Sequence, residues 1–149
     1  MSTIFADKFK NTSGGNPVQI NQLRGIDTAG SITVQGEGTA TTNLQQGLAK
    51  AWLHYDQRTP TVRDSFNITS VEDTAAGHYK ATITNAMNNI YYTLAHSGSY
   101  DANITNTNRA DIHFGFPETT TLYQNGSMNT GNSYIDDTYS LSVVHGDLA

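Results

Sequence analysis

The sequence predicts an all-β protein, and three observations favour that class. Apolar residues make up 36% of the 149 residues, below the ~45–50%, Gly included, that is usual for soluble globular proteins. Thr, Asn, Ser and Gly fill the difference rather than Glu and Lys, and these are residues of turns and exposed strand faces. From Ala51 onward, apolar side chains recur at alternate positions, as they do along β-strands.

Residues 1–46 are predicted to form an extended N-terminal arm of short strands. The candidate strands are Ile4–Phe9, 18–20 and 31–34, each bounded by Gly or Pro. Strands of this length and polarity do not bury a core within one chain. The arm is therefore expected either to be disordered or to share a core with neighbouring copies of the chain.

A helical spacing of apolar residues marks the end of this arm. Leu44, Leu48 and either Ala51 or Trp52 have helical spacing, and Gly47 limits the prediction to a turn or two of helix. In an oligomer this stripe would meet its symmetry mates on an axis. Trp52, the only tryptophan, is the expected anchor of the core that begins near residue 50.

Residues 47–149 are predicted to form an antiparallel β-sandwich. Residues 51–55 alternate as in a strand buried on both sides, and six or seven strands in all are separated by Gly, Asn and Asp turns. Tyr92 and Tyr139 are in phase with neighbouring aliphatic residues and are expected to pack in the core.

The charge distribution argues against nucleic-acid and membrane partners. The net charge is −5, and after residue 80 the only basic residue is Arg109, against six acidic residues. Phosphate backbones and anionic membranes require a basic surface. There is no cysteine, the N-terminus lacks the apolar segment of a signal peptide, and no stretch has the length of a membrane-spanning helix.

Three tyrosines are the candidate contacts for a receptor. Tyr100, Tyr123 and Tyr134 lie among Gly, Asn and Ser residues that are typical of loops. An exposed tyrosine ring stacks on the apolar face of a sugar, and neighbouring amides bind its hydroxyls. The alternative for each is a ring that packs against the sandwich.

The sequence lacks the residue spacings of the common metal-binding and catalytic motifs. No two of the five histidines have the i, i+4 spacing of a zinc site, and the segment from Asp101 has Asn106 and Ile112 where a calcium loop needs Gly and Glu. There is no G-x-S-x-G elbow or phosphate-binding loop. We therefore expect neither a cofactor nor a metal, and a protein that is not an enzyme.

Two groups of motifs resemble bacteriophage virion proteins. "LAKAW", "DSFNITSVEDTAAGHYKATIT" and a closing "YSLSVVHGD" are similar to the C-terminal domain of many tail fibre proteins, and "MSTIFADKFKNTSGG" is similar to the start of structural proteins of marine and cyanobacterial phages. The resemblance implies a homotrimer. Three copies would also close a shared core between the arms and cover exposed strand edges.

The resemblance implies a structural protein of a tailed phage virion, made in the host cytoplasm. The expected role is a short tail fibre or receptor-binding tip, with the arm docked onto other virion proteins and the distal domain on a host surface glycan or protein. A head fibre or capsid decoration protein is the first alternative, because the chain has no long shaft. A free carbohydrate-binding module is the second.

Overall fold

A computed structural model of the chain describes residues 32–35, 39–100 and 112–149. These residues form antiparallel strands and one helical turn, so the prediction of an all-β class is confirmed. The strands predicted at Ile4–Phe9 and 18–20 lie outside the described residues. In the part of the chain that is described, no helix has the length and hydropathy needed to span a membrane.

A small hairpin and a turn of helix precede the larger sheets. Strand β1 (Thr33–Gln35) pairs with β2 (Thr41–Asn43), and α1 (Leu44–Gly47) follows directly. The Asn43 side chain caps this turn by accepting a hydrogen bond from Gln46 N at 3.2 Å. The described residues thus include one turn of helix, which ends at Gly47, whereas Leu48 lies beyond it and Trp52 of the predicted helical stripe lies in the strand Ala51–Asp56.

The remaining strands form two four-stranded antiparallel sheets. In the first sheet the spatial order is β4 (Thr61–Phe66), β3 (Ala51–Asp56), β10 (Tyr139–His145) and β7 (Thr93–Ser99). In the second sheet it is β5 (Ile68–Ala75), β6 (His78–Ile83), β9 (Leu122–Met128) and β8 (Ile112–Pro117). Each sheet thus combines strands from distant parts of the sequence.

One core cluster receives side chains from both sheets. Its ring contact between Tyr55 on β3 and Tyr79 on β6 has centroids 5.1 Å apart. The buried hydrophobic members are Ala51, Leu53, Tyr55, Tyr79, Ala81, Ile83, Met87, Tyr92, Tyr123 and Val144. Tyr92 is thus in the core, as predicted. Its hydroxyl donates to the backbone oxygens of the 119–122 turn at 2.9–3.0 Å.

Strand β10 has the predicted alternation but the opposite phase. Its buried positions are Ser140, Ser142 and Val144, whereas Leu141 is 41% exposed. The prediction that Tyr139 packs in the core is therefore wrong. The two inward serines are accommodated because tyrosine hydroxyls of the second sheet reach them and give each serine hydroxyl a hydrogen bond.

Trp52 is not part of the core cluster. The buried positions of β3 are its neighbours Ala51 and Leu53, so Trp52 lies on the other, outer face of the first sheet, half-buried. There it is in register with Phe66 on β4 and Val143 on β10. The prediction of Trp52 as a core anchor is wrong, while its predicted role in a trimer remains open to test.

Candidate functional site

The three candidate receptor tyrosines occupy different environments. Tyr134 is 50% exposed. Tyr100 is half-buried after the end of β7, where the Arg58 guanidinium lies 4.5 Å from the centre of its ring. Tyr123 is fully buried at 0% exposure. The structure therefore does not bring the three together on one surface.

Tyr123 was wrongly predicted as a receptor contact. The Gly, Asn and Ser residues after it suggested a loop, but they belong to β9, where Asn125, Gly126 and Ser127 are buried. The Tyr123 hydroxyl lies 2.9 Å from Ser142 Oγ of the facing sheet. Burial raises the pKa of Tyr123, so its hydroxyl stays protonated.

Replacing Tyr123 by Phe should lower the free energy of unfolding by about 1–2 kcal/mol. The change removes the buried hydrogen bond between the Tyr123 hydroxyl and Ser142, which is only 1% exposed, and the loss of one such bond costs roughly this amount. Urea denaturation measures it. Tyr91→Phe, at an 87% exposed position, is the matched control and should change nothing. Equal stability of the two variants would contradict the assigned hydrogen bond.

A second set of buried, hydrogen-bonded side chains connects four strands. Tyr79 Oη accepts hydrogen bonds from Asn125 Nδ2 at 2.6 Å and from Ser140 Oγ at 3.1 Å. His96 Nε2 lies 2.8 Å from the same Ser140 Oγ. Burial, followed by the charge of His113, lowers the pKa of His96 to about 4, so this imidazole is neutral near pH 7.

A third set of hydrogen-bonded side chains, around Asp137, lies beside the second. Ser127 Oγ donates to Asp137 Oδ2 at 2.6 Å, and His113 Nδ1 is 3.3 Å from the same oxygen. The rings of His96 and His113 are 5.2 Å apart. We call His96, His113, Ser127, Asp137 and Ser140 the polar cluster.

The polar cluster contains the residue types of a Ser-His-Asp catalytic triad but not its arrangement. In a triad the aspartate orients the histidine that contacts the serine. Here Ser140 contacts His96, which does not contact Asp137. His113 meets both Asp137 and Ser127, but through the same nitrogen, Nδ1, and Ser127 donates directly to Asp137, so the ring does not link the two. Ser140 and Asp137 are also 0% exposed, so a substrate has no path to the hydroxyl in this conformation. The arrangement is suited to joining the two sheets.

Tyr134 belongs to a group of three rings on the second sheet. His78 lies 4.2 Å from Tyr134 and 5.9 Å from Phe114, measured between ring centroids. His78, Gly126 and Phe114 are in register across β6, β9 and β8. A Cβ atom at Gly126 would overlap the Phe114 ring, so the ring lies over the backbone of this glycine. We call His78, Phe114 and Tyr134 the aromatic cluster.

The sequence contained no signal for the other two members of this cluster. His78 and Phe114 come from separate strands, and only the register of the sheet places them beside Tyr134. Tyr134 itself is held by an isolated bridge to Met128 and by the neighbouring hydrogen bond from Ile135 N to Ser127 O at 3.2 Å. The cluster offers a partly exposed aromatic surface, which suits stacking on a flat apolar ligand face.

The outer face of the first sheet carries a row of apolar side chains. Phe66, Trp52 and Val143 are adjacent in register, and Phe66 is 52% exposed. We call these three residues the apolar row. Of the other predicted trimer contacts, Leu44 is half-buried in α1 and Leu48 is 55% exposed just beyond it.

Asp56 and Arg63 form an ion pair near one end of the first sheet. Arg63 Nη2 donates to Asp56 Oδ2 at 2.6 Å, and the guanidinium lies 4.6 Å from the centre of the Tyr139 ring. Burial would raise the pKa of Asp56, but hydrogen bonds from Arg63 and Thr59 outweigh that effect and lower it. The pair therefore fixes the β3–β4 connection and has no free acid to offer for catalysis.

Metal-binding geometry and similarity to known proteins both bear on function. Among residues 32–35, 39–100 and 112–149, no three His, Asp or Glu side chains are grouped so as to hold a metal ion. No protein-family model, curated protein or solved structure matches the chain at a significant level. A functional assignment therefore depends on the chain's own side chains.

Proposed function

We propose that this chain is a structural protein of a tailed bacteriophage virion, acting as a homotrimeric short tail fibre or receptor-binding tip. In this proposal the two sheets form a distal β-sandwich spanning residues 47–149, and residues 1–46 attach it to other virion proteins. The resemblance of "LAKAW" and "YSLSVVHGD" to tail fibre domains motivates the assignment.

The apolar row is the observation that carries the oligomeric part of the proposal. Phe66, Trp52 and Val143 present a continuous apolar strip on the outer face of a sheet. Leu141, on the same face, is 41% exposed. Monomeric soluble proteins rarely leave large contiguous apolar patches in water, so a second and a third copy are the natural cover for this face.

The proposed mode of action is adsorption without chemistry. The buried Ser140 and Asp137 support it, because a hydroxyl and a carboxylate at 0% exposure are suited to holding the sheets together. Tyr134 in the aromatic cluster and Tyr100 remain the proposed receptor contacts. Three weak sites per trimer, repeated on a particle, would provide firm attachment through avidity.

Light scattering after size exclusion tests the trimer. The full chain should elute at three chain masses, and Phe66→Ser should shift it toward the monomer because a polar residue interrupts the apolar row. Phe116→Ser is the matched control, since Phe116 is 48% exposed on the second sheet and should leave the mass unchanged. A full-length chain that is monomeric would contradict the trimer and favour a lone carbohydrate-binding module.

Antibody labelling of virus particles tests the location. Label at the tail supports the tail fibre. Label distributed around the head would instead assign the chain to a head fibre or decoration protein, and absence of label from particles would remove the virion proposal altogether.

A further inference from the structure

A polar cavity opens beside the C-terminal end of β10. Its volume is ≈ 340 Å³, at the lower end of the range of about 300–1,000 Å³ typical of small-molecule sites. Side chains from α1, from the start of β7 and the segment before it, and from the end of β10 and the chain after it line the cavity: Gln46, Asn89, Tyr91, Thr93, His145 and Asp147.

The wall of the cavity is fixed by backbone hydrogen bonds. Asn88 N donates to Asp147 O at 2.8 Å, and Ala149 N donates to Ala86 O at 2.9 Å, so the two segments run side by side. Asn89 Oδ1 accepts a hydrogen bond from Tyr91 N at 2.8 Å, which sets the backbone at the rim. The site is therefore largely formed before a ligand arrives.

Tyr91 is the most unusual residue of this site. It is 87% exposed, the largest exposure among the large hydrophobic residues of the described chain. Its neighbour Tyr92 is 6% exposed and packs in the core. An aromatic ring left in water at the rim of a cavity contributes nothing to the stability of the fold, whereas it contributes stacking energy to binding when a ligand covers it.

The polar lining indicates the class of ligand. Two amides, an imidazole and the Asp147 carboxylate provide both donors and acceptors for hydroxyl groups. No Lys or Arg is among the described residues that line the cavity, and the chain carries a net charge of −5. An anionic ligand would be repelled, and an uncharged polyhydroxylated one is favoured.

We propose that this cavity binds one neutral pyranose unit of a glycan, with the Tyr91 ring stacked on the apolar face of the sugar. Asn89, Gln46 and Asp147 bind its hydroxyls. The proposal rests on the function proposed above only for the source of the glycan, which would be a host surface. Binding of the sugar itself is a property of the free protein.

Nuclear magnetic resonance titration of the full-length chain with single sugars tests this proposal. The probes are glucose, galactose, mannose and N-acetylglucosamine, each to about 100 mM, far above the millimolar Kd expected of a single-sugar site. At least one should shift the backbone amides of Asn89, Thr93 and His145. Glucuronate and N-acetylneuraminate, which carry a carboxylate, should bind more weakly.

Tyr91→Ala is expected to weaken binding about tenfold, the loss that corresponds to ~1.4 kcal/mol of stacking. Phe116→Ala is the matched control, because it removes an aromatic ring that is 48% exposed on the second sheet, and it should leave the affinity unchanged. The proposal is overturned if no neutral sugar moves these amides, if the charged sugars bind better, or if Phe116→Ala weakens binding as much as Tyr91→Ala.

The two proposals fail separately. If the chain is a trimer on virus particles but binds none of the sugars, only the sugar-binding proposal is contradicted. A chain that binds a neutral sugar at Tyr91 but is monomeric and not on particles removes the virion role and leaves the sugar site in place.

Discussion

Gly77→Ala should lower the free energy of unfolding by about 3 kcal/mol or more. Gly77 has a φ of +70°, in the left-handed region, where a side chain costs about 1–2 kcal/mol. A Cβ atom there would lie 2.6 Å from Ser127 O and 2.7 Å from Ile135 N. Both are backbone atoms, and they cannot move aside without shifting β9 or the segment bonded to it at Ile135, so overpacking adds about 1–3 kcal/mol.

The effect should extend to the aromatic cluster. Gly77 N donates to Asp136 Oδ1 at 2.6 Å, and Gly77 O accepts a hydrogen bond from Ser127 N at 2.8 Å. These bonds hold the segment that carries Tyr134 against the second sheet. Displacing it should separate Tyr134 from His78, a change visible in the ring proton shifts of both residues.

Gly47→Ala is the matched control for this variant. Gly47 ends α1, and a Cβ atom there would meet nothing within 4 Å. In a helical position the change from Gly to Ala is expected to stabilise by up to ~1 kcal/mol. Urea unfolding of both variants decides the matter, and a Gly77→Ala protein as stable as Gly47→Ala would contradict the tight turn described here.

Alternation of residue types was sufficient for the class and for strands such as β3, but it predicted six or seven strands where the described part of residues 47–149 forms eight, and it missed β9. It also failed to give the side that faces the core. In β10 the larger residues Tyr139, Leu141 and Val143 were expected inside, and Ser140, Ser142 and Val144 are buried instead. Polarity alone favours the wrong face there. The buried serines become acceptable only when hydroxyls from another sheet reach them, and such pairing depends on long-range topology.

The composition of the candidate sites was even harder to predict from the sequence than the buried face of a strand. Tyr134 was singled out by its loop-like neighbours, and it is exposed. Its partners in the aromatic cluster are 56 and 20 residues away along the sequence, at His78 and Phe114. The polar cavity beside β10 likewise combines residues near positions 46, 90 and 146. No local pattern encodes such neighbours, because strand register and sheet order create them.

Acid should destabilise the folded chain through His96. The unfolded chain binds a proton on this residue near pH 6.5, whereas burial and then the charge of His113 lower the folded-state pKa to about 4. Between these values the unfolded state binds more protons, so stability is complete above about pH 6.5 and is lost as the pH falls toward 4. From pH 7 to pH 5 the loss from this group should be about 2 kcal/mol.

The groups around His96 explain why the proton is excluded. Ser140 Oγ at 2.8 Å and the Phe114 carbonyl oxygen at 3.3 Å contact the two ring nitrogens. The Tyr79 ring packs edge-on at 6.0 Å, and His113 lies beside it with its own contact to Asp137. Only the carbonyl oxygen favours the charged ring, and it does not offset the loss of water.

His96→Gln isolates this contribution. Glutamine retains hydrogen-bonding groups but does not titrate, so urea unfolding at pH 7 and pH 5 should show a fall in stability about 2 kcal/mol smaller than in the unmodified chain. Ser97→Gln, at an exposed position of the same strand, should keep the full fall. Because the comparison uses the change with pH, it remains informative even if the variant is less stable at both values. An identical fall in all three proteins would mean that His96 is protonated without cost, and that the polar cluster admits water.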